Sequence, residues 1–236
     1  MSIKKHIPNA ITCCNLFSGC VACAMAYSGK FELAMAFIVL GAVFDFFDGM
    51  VARLLGVSSP LGVQMDSLAD DITFGIAPAT IVFVYMKEIL YYPSYLGTLK
   101  EVLPYTAFLI AVFSACRLAK FNIDTRQTNT FIGLPTPANA LFWSSLITGG
   151  AQWIYDLNAG WFFLLMLIAL FSYFLVSEIP MFSLKFKNLS WKSNSIRYTF
   201  LLLSLPMLFL GYLAPVAIIS WYLLLSIMIS AVRKKR

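Results

Sequence analysis

The chain has 236 residues, of which 60% are hydrophobic and only 12% charged, with a formal net charge of +6. A mean hydropathy of +0.81 excludes a soluble globular domain, because such a chain would still need a mostly polar exterior and there are too few polar side chains to make one. Lipid is therefore the expected outer solvent, and the basic excess reads as a topology signal facing anionic headgroups rather than as a nucleic-acid surface.

The opening MSIKKHIPNAIT is basic and then apolar. No small-residue cleavage site in a polar stretch follows, which favours a short interfacial helix leading into the first span over a signal peptide. A membrane-crossing helix needs about 20 mainly apolar residues, since the hydrocarbon layer is roughly 30 Å thick and a helix rises about 1.5 Å per residue. Eight segments qualify, at about 11–28, 32–54, 67–87, 103–121, 137–154, 160–178, 197–212 and 214–232. The last two are the least separable, because Gly211 to Pro215 allows only a tight connection and Pro206 can kink the helix before it. No internal repeat or long linker is visible, so residues 1–236 are expected to form one all-α domain, a polytopic integral membrane helical bundle.

Eight spans place both termini on one side. Lys4, Lys5, Arg53, Arg117, Lys120, Arg126, Lys185, Lys187, Lys192, Arg197, Arg233, Lys234, Lys235 and Arg236 fall on that side, and of the 17 basic residues only Lys30, Lys87 and Lys100 fall opposite. The asymmetry predicts cytoplasmic termini in an inner or plasma membrane. Cys20 and Cys23 have metal-like spacing, but with no second pair and His6 as the single histidine, the five cysteines read as small packing residues rather than a zinc site.

The anomaly lies at the cytoplasmic edge of the second and third spans. Asp45, Asp48, Asp66, Asp70 and Asp71 are five of only eleven acidic residues, set in a stretch where lipid makes isolated charges costly. Asp45 and Asp48 are three apart and Asp66 and Asp70 four apart, so each pair shares a helical face, and two antiparallel helices joined through Leu54 to Gln64 bring the pairs together. Converging carboxylates repel unless a cation neutralises them, and oxygen ligands suit hard divalent ions such as Mg2+ or Mn2+. A metal-bound acidic site beside lipid points to phosphate chemistry. Gly49, Ala52 and Gly62 leave room for a phosphate or nucleotide, and Arg53 can fork onto phosphate oxygens; singly, the glycines also read as packing notches and Arg53 as a membrane-edge anchor.

The pattern Asp45-x2-Asp48-Gly49-x2-Ala52-Arg53-x8-Gly62-x3-Asp66-x3-Asp70 resembles, with no position missing, the signature of the CDP-alcohol phosphatidyltransferases. These membrane enzymes displace CMP from a CDP-linked lipid with the hydroxyl of a small alcohol. The resemblance implies that Asp45, Asp48, Asp66 and Asp70 hold divalent ions and that Asp70 is also the general base. It further implies that Gly49, Ala52 and Gly62 accommodate the cytidine nucleotide, that Arg53 contacts phosphate, and that the protein is a homodimer. Asp71 lies outside the pattern.

Further stretches resemble the phosphatidylserine synthase branch: Pro8-Asn9-x2-Thr12, Phe74-Gly75-x-Ala77-Pro78-Ala79, Cys116 to Asn122, Gly133 to Pro137, and Ser177-x2-Pro180-Met181-x-Ser183-x-Lys185. Together with the signature they span roughly residues 8–186. Lys120 stands where that branch is associated with arginine, which keeps the charge but not a bidentate fork. The substrates implied are CDP-diacylglycerol and L-serine. Arg117, Lys120 and Asn122 are suited to the serine carboxylate or to phosphate, or are ordinary membrane-edge flanking. Thr136 lies in a proline-framed loop that either walls the pocket or starts a helix, and Asn9 and Thr12 either contact the nucleotide or cap the first helix. Other acceptors, glycerol 3-phosphate or inositol phosphate, would call for a denser cationic pocket. A cation or proton transporter is disfavoured by acids at one rim and by the lack of an inverted repeat.

Overall fold

A computed structural model of the chain describes residues 6–124, 131–182 and 190–234. Eight principal helices are seen among them: α1 His6–Tyr27, α2 Phe31–Leu55, α3 Pro60–Glu88, α4 Leu99–Ile123, α5 Thr136–Asp156, α6 Gly160–Val176, α7 Trp191–Ser204 and α8 Ala214–Lys234. A 3-10 segment, Pro206–Leu213, leads into α8. The only strands among the described residues are β1 Phe131–Ile132 and β2 Pro180–Met181, paired antiparallel. Lys4, Lys5, Arg126, Ser183, Lys185, Lys187, Lys235 and Arg236 lie outside the described residues.

The molecule is all-α in character, with five helical stretches long and apolar enough to cross a membrane: α1, α2, α3, α4 and Pro206–Ala231. α6 is as apolar but has 17 residues, and α5, expected as a span, is not apolar enough. The reason is visible in its burial: Asn139, Ser144 and Ser145 are fully buried, so the polar residues of α5 face protein rather than lipid. The expected seventh span is divided between α7 and the 3-10 segment, with Pro206 at the break and Gly211 at φ 59° in a second kink. His6 to Thr12, expected as a separate interfacial helix, continues without interruption into α1. Many large apolar side chains, such as Phe17, Leu202 and Phe209, are exposed, as a lipid-facing surface requires.

The connection between α2 and α3 is shorter than the expected Leu54 to Gln64. Gly56 ends α2 in a left-handed conformation (φ 61°), its N–H donating to the carbonyls of Ala52 and Arg53. Ser59 then caps α3 by accepting from the Gly62 N–H at 3.0 Å, and Pro60 occupies the first turn where no N–H is needed. This early start carries Asp66 well inside α3 instead of at its beginning.

α3 is the central and most buried span, packed on α1, α4 and α5. Its Tyr85 hydroxyl donates to the Ala151 carbonyl at 2.7 Å, tying it to α5. Directly after Asp70 the helix widens into a π-helical turn, Asp71–Ile76, which presents Thr73 to α1 and α2. A Cβ at Gly19 would lie 2.9 Å from the Thr73 backbone, and one at Gly41 would lie 2.5 Å from the Thr73 methyl. Gly19→Ala must therefore separate α1 from α3; a loss of about 1–3 kcal/mol is expected, measurable as a lower thermal midpoint in detergent.

Candidate active site

α2 and α3 deliver the acidic residues to one place. Asp45 and Asp48 project from α2 and Asp66 from α3, and one carboxylate oxygen from each lies within 4.8 Å of the others. Asp48 is 6% exposed. The Thr12 hydroxyl, on α1, donates to Asp48 Oδ2 at 2.6 Å. Asp66 Oδ1 is buried with no hydrogen-bond partner. No ion pair to Asp45, Asp48, Asp66 or Asp70 is seen among the described residues. Three carboxylates this close, one of them with a buried and unsatisfied oxygen, form a donor set suited to a hard divalent cation.

Asp70 is not part of this three-carboxylate group. It sits one turn along α3 from Asp66, and its Oδ1 accepts from Asn15 Nδ2 on α1 at 3.1 Å. It nevertheless borders the same space, because two clefts meet at the carboxylates. The smaller, about 580 Å3, is lined by Pro8, Asn9, Thr12, Ala52, Val57 to Ser59, Gly62 and Val63, together with Asp48, Gly49 and Asp66. The larger, about 1140 Å3, shares those last three residues and adds Asp45, Arg53, Asp70, Arg117, Asn122 and Thr136.

The small residues have visible reasons. A Cβ at Gly62 would stand 3.0 Å from Asn9 Oδ1 and 3.1 Å from Ser59 Oγ, narrowing the smaller cleft. A Cβ at Gly49 would stand 3.4 Å from Arg53 Nη1, an ordinary contact, and both residues line the larger cleft. Arg117 is buried, with its guanidinium 5.4 Å from the Phe121 ring centre. Asn122 Nδ2 donates to Ser67 Oγ at 2.8 Å, joining α4 to α3 beside Asp66.

Lys120 is placed elsewhere. Its Nζ donates to the Val176 carbonyl at 3.1 Å and lies 3.8 Å from Glu178 Oε1, in a neighbouring cleft whose wall includes Arg117. Asp71 lines neither cleft at the carboxylates; its Oδ1 is buried beside Gly75 and Ser114. Two contributors escape a sequence-only reading: Asn15, which holds Asp70, and Ser67, which holds Asn122. The signal for Asn15 was its position three residues after Thr12, on the same face of an otherwise apolar helix.

A sequence model of the family described as CDP-alcohol phosphatidyltransferase matches residues 5–175. Relatives named CDP-diacylglycerol–serine O-phosphatidyltransferase include one from Helicobacter pylori, 37% identical over 136 residues that cover 57% of this chain and 54% of the relative. A second, from Bacillus subtilis, is 36% identical over 56% of this chain and 70% of the relative. A third, from Mycobacterium tuberculosis, is 32% identical over 95% of this chain and 74% of the relative. The match thus spans about half the length of the Helicobacter protein and most of the mycobacterial one. With the family match covering well over half its length and including every aspartate of the site, the chain belongs to the CDP-alcohol phosphatidyltransferase family.

Proposed function

We propose that the protein transfers the phosphatidyl group of CDP-diacylglycerol to the hydroxyl of L-serine, giving phosphatidylserine and CMP. The observation that carries this reading is the meeting of two clefts at Asp48 and Asp66, with Asp45 beside them in the wall of the larger, in a family member whose relatives bear that activity in their names. The cytidine end of the donor occupies the smaller cleft, where Asn9, Thr12, Gly49, Ala52 and Gly62 shape the walls. The diphosphate lies over the carboxylates, with Arg53 against its oxygens. Serine enters the larger cleft from the water side, its carboxylate facing Arg117, with Asn122 and Thr136 as further polar contacts and Lys120 at the adjoining cleft.

Asp45, Asp48 and Asp66 hold Mg2+ or Mn2+, with Asp70 as the fourth carboxylate of the set. The ion, when bound, neutralises diphosphate charge and favours departure of CMP. Asp70 takes the proton of the serine hydroxyl as that oxygen bonds to the lipid-bearing phosphorus and the bond from phosphorus to the CMP oxygen breaks. The same reading includes eight membrane crossings, cytoplasmic termini with the site at that face, and a homodimer.

Protein purified in detergent with CDP-diacylglycerol and Mn2+ or Mg2+ should release CMP and form phosphatidylserine only when serine is added. CMP release with glycerol 3-phosphate or inositol phosphate instead would move the assignment within the family, and no acceptor-dependent release would sink it. Gly62→Leu fills the smaller cleft, so KM for CDP-diacylglycerol should rise about tenfold or more, a loss of ~1.4 kcal/mol, while KM for serine is unchanged in the same initial-rate assay.

A further inference from the structure

Asn15 belongs to no part of the signature, yet it is fully buried and its amide is aimed at Asp70. Its surroundings fix which way round the amide sits. The NH2 group is the end that faces Asp70, donating to its Oδ1 at 3.1 Å. The amide oxygen is thereby turned toward a wall with no donor: Asn15 Oδ1 is buried and has no hydrogen-bond partner. A Cβ on Gly41 would meet that oxygen at 2.9 Å, so only glycine leaves it space. The Thr73 hydroxyl donates to the Asn15 backbone carbonyl at 3.0 Å, locking this turn of α1 to the π-helical turn that follows Asp70. The fold thus leaves one amide oxygen unsatisfied, and satisfies the carboxylate.

One turn earlier on the same face of α1, Thr12 makes the corresponding bond to Asp48. The helix therefore assigns two donors to two different carboxylates. The donor on Asp48 serves the converging group; the donor on Asp70 acts on the carboxylate that stands apart from it. With Oδ1 occupied by Asn15, Oδ2 is the oxygen of Asp70 left for the cleft.

We propose that Asn15 is a positioning residue for Asp70: its amide, packed against Gly41, fixes Oδ1 of the carboxylate so that Oδ2 is presented to the acceptor hydroxyl. This rests on the phosphatidyltransferase reading. Without the amide, Asp70 rotates freely, and the donor and acceptor still bind but the proton is not collected in line with attack.

The test compares Asn15→Leu, which keeps the branched shape and volume but has no donor, with Asn15→Ala and the wild type. Initial rates of CMP release with serine should show kcat about 10- to 100-fold lower in both variants, as displacement of a reacting group by about an ångström produces, with KM for CDP-diacylglycerol and serine within about twofold. A purely structural role predicts instead that Asn15→Leu restores the rate lost in Asn15→Ala. An activity-free readout runs in parallel: labelling of Asp70 by dicyclohexylcarbodiimide in metal-free protein, followed by mass spectrometry, should speed up several-fold in Asn15→Leu while labelling of Asp45 does not. Asn15→Leu at the wild-type rate, a loss confined to KM, or unchanged Asp70 labelling would each overturn the proposal. If the wild type uses a different alcohol, the same ratio is read on that alcohol. If it uses none, the transferase reading has failed and the role of Asn15 fails with it.

Discussion

Asp70→Asn is expected to lower turnover by about 10^3-fold, within the range of 10^2 to 10^4 that a positioned base contributes, while the folded protein and donor binding survive. The substitution is isosteric, and its amide oxygen can keep the bond from Asn15 Nδ2 that Asp70 Oδ1 now accepts at 3.1 Å. The group then facing the cleft is an NH2, a donor that cannot take the serine proton. Because Asp45, Asp48 and Asp66 converge without Asp70, the variant should retain divalent-ion binding, seen as a Mn2+-dependent rise in thermal midpoint. KM for CDP-diacylglycerol should likewise stay near its wild-type value. A rate within about twofold of the wild type would remove Asp70 from proton transfer, since loss of a positioned base costs at least about 10^2-fold.

How much of this site was legible in the sequence follows from the range of the interactions. Asp45 with Asp48, and Asp66 with Asp70, are placed by helical spacing alone, and the short α2 to α3 connection makes the pairs meet. The smaller cleft was also foreseeable, since Gly49, Ala52 and Gly62 lie on those same two helices and Asn9 and Thr12 on the next one. What spacing could not give is the division among the four acids. Asp70 stands outside the group of three and is bonded to an amide 55 residues earlier in the chain, and no local pattern encodes that contact. The π-helical turn after Asp70 was hidden for a related reason: it is stabilised by Thr73 fitting against Gly19 and Gly41, on two other helices. Lys120 shows the converse. Three positions on from Arg117 it shares a helical face and a cleft wall with that residue, but its Nζ turns to Val176 and Glu178 and not to the carboxylates. For α5, length and apolar content in the sequence suggested a span, and the structure adds what they could not show, that its polar Asn139, Ser144 and Ser145 are sheltered by neighbouring helices.

Asp66→Asn should separate charge repulsion from metal binding. Two like charges 4.8 Å apart repel by ~3.5 kcal/mol at an effective dielectric of about 20, and Asp45, Asp48 and Asp66 present three such pairs at or inside that distance. In chelator, removing one charge relieves two of the three repulsions, so Asp66→Asn should melt no lower than the wild type and is expected to melt higher. On adding Mn2+ the order should reverse. The wild type gains about 2.7 kcal/mol at an ion concentration 100 times Kd, whereas the variant, lacking the buried Asp66 oxygen that has no protein partner, gains little. Activity should follow the ion: chelation should abolish CMP release from the wild type and Mn2+ or Mg2+ restore it, while Asp66→Asn stays about 10^3-fold down or more, the loss of several kcal/mol expected when charge on the leaving group goes uncompensated. A variant equally stabilised by Mn2+ would show that the three converging oxygens are not the ion's ligands. A variant less stable than the wild type in chelator would show that Asp66 serves the fold through some favourable contact, not as a charge held in place for a cation.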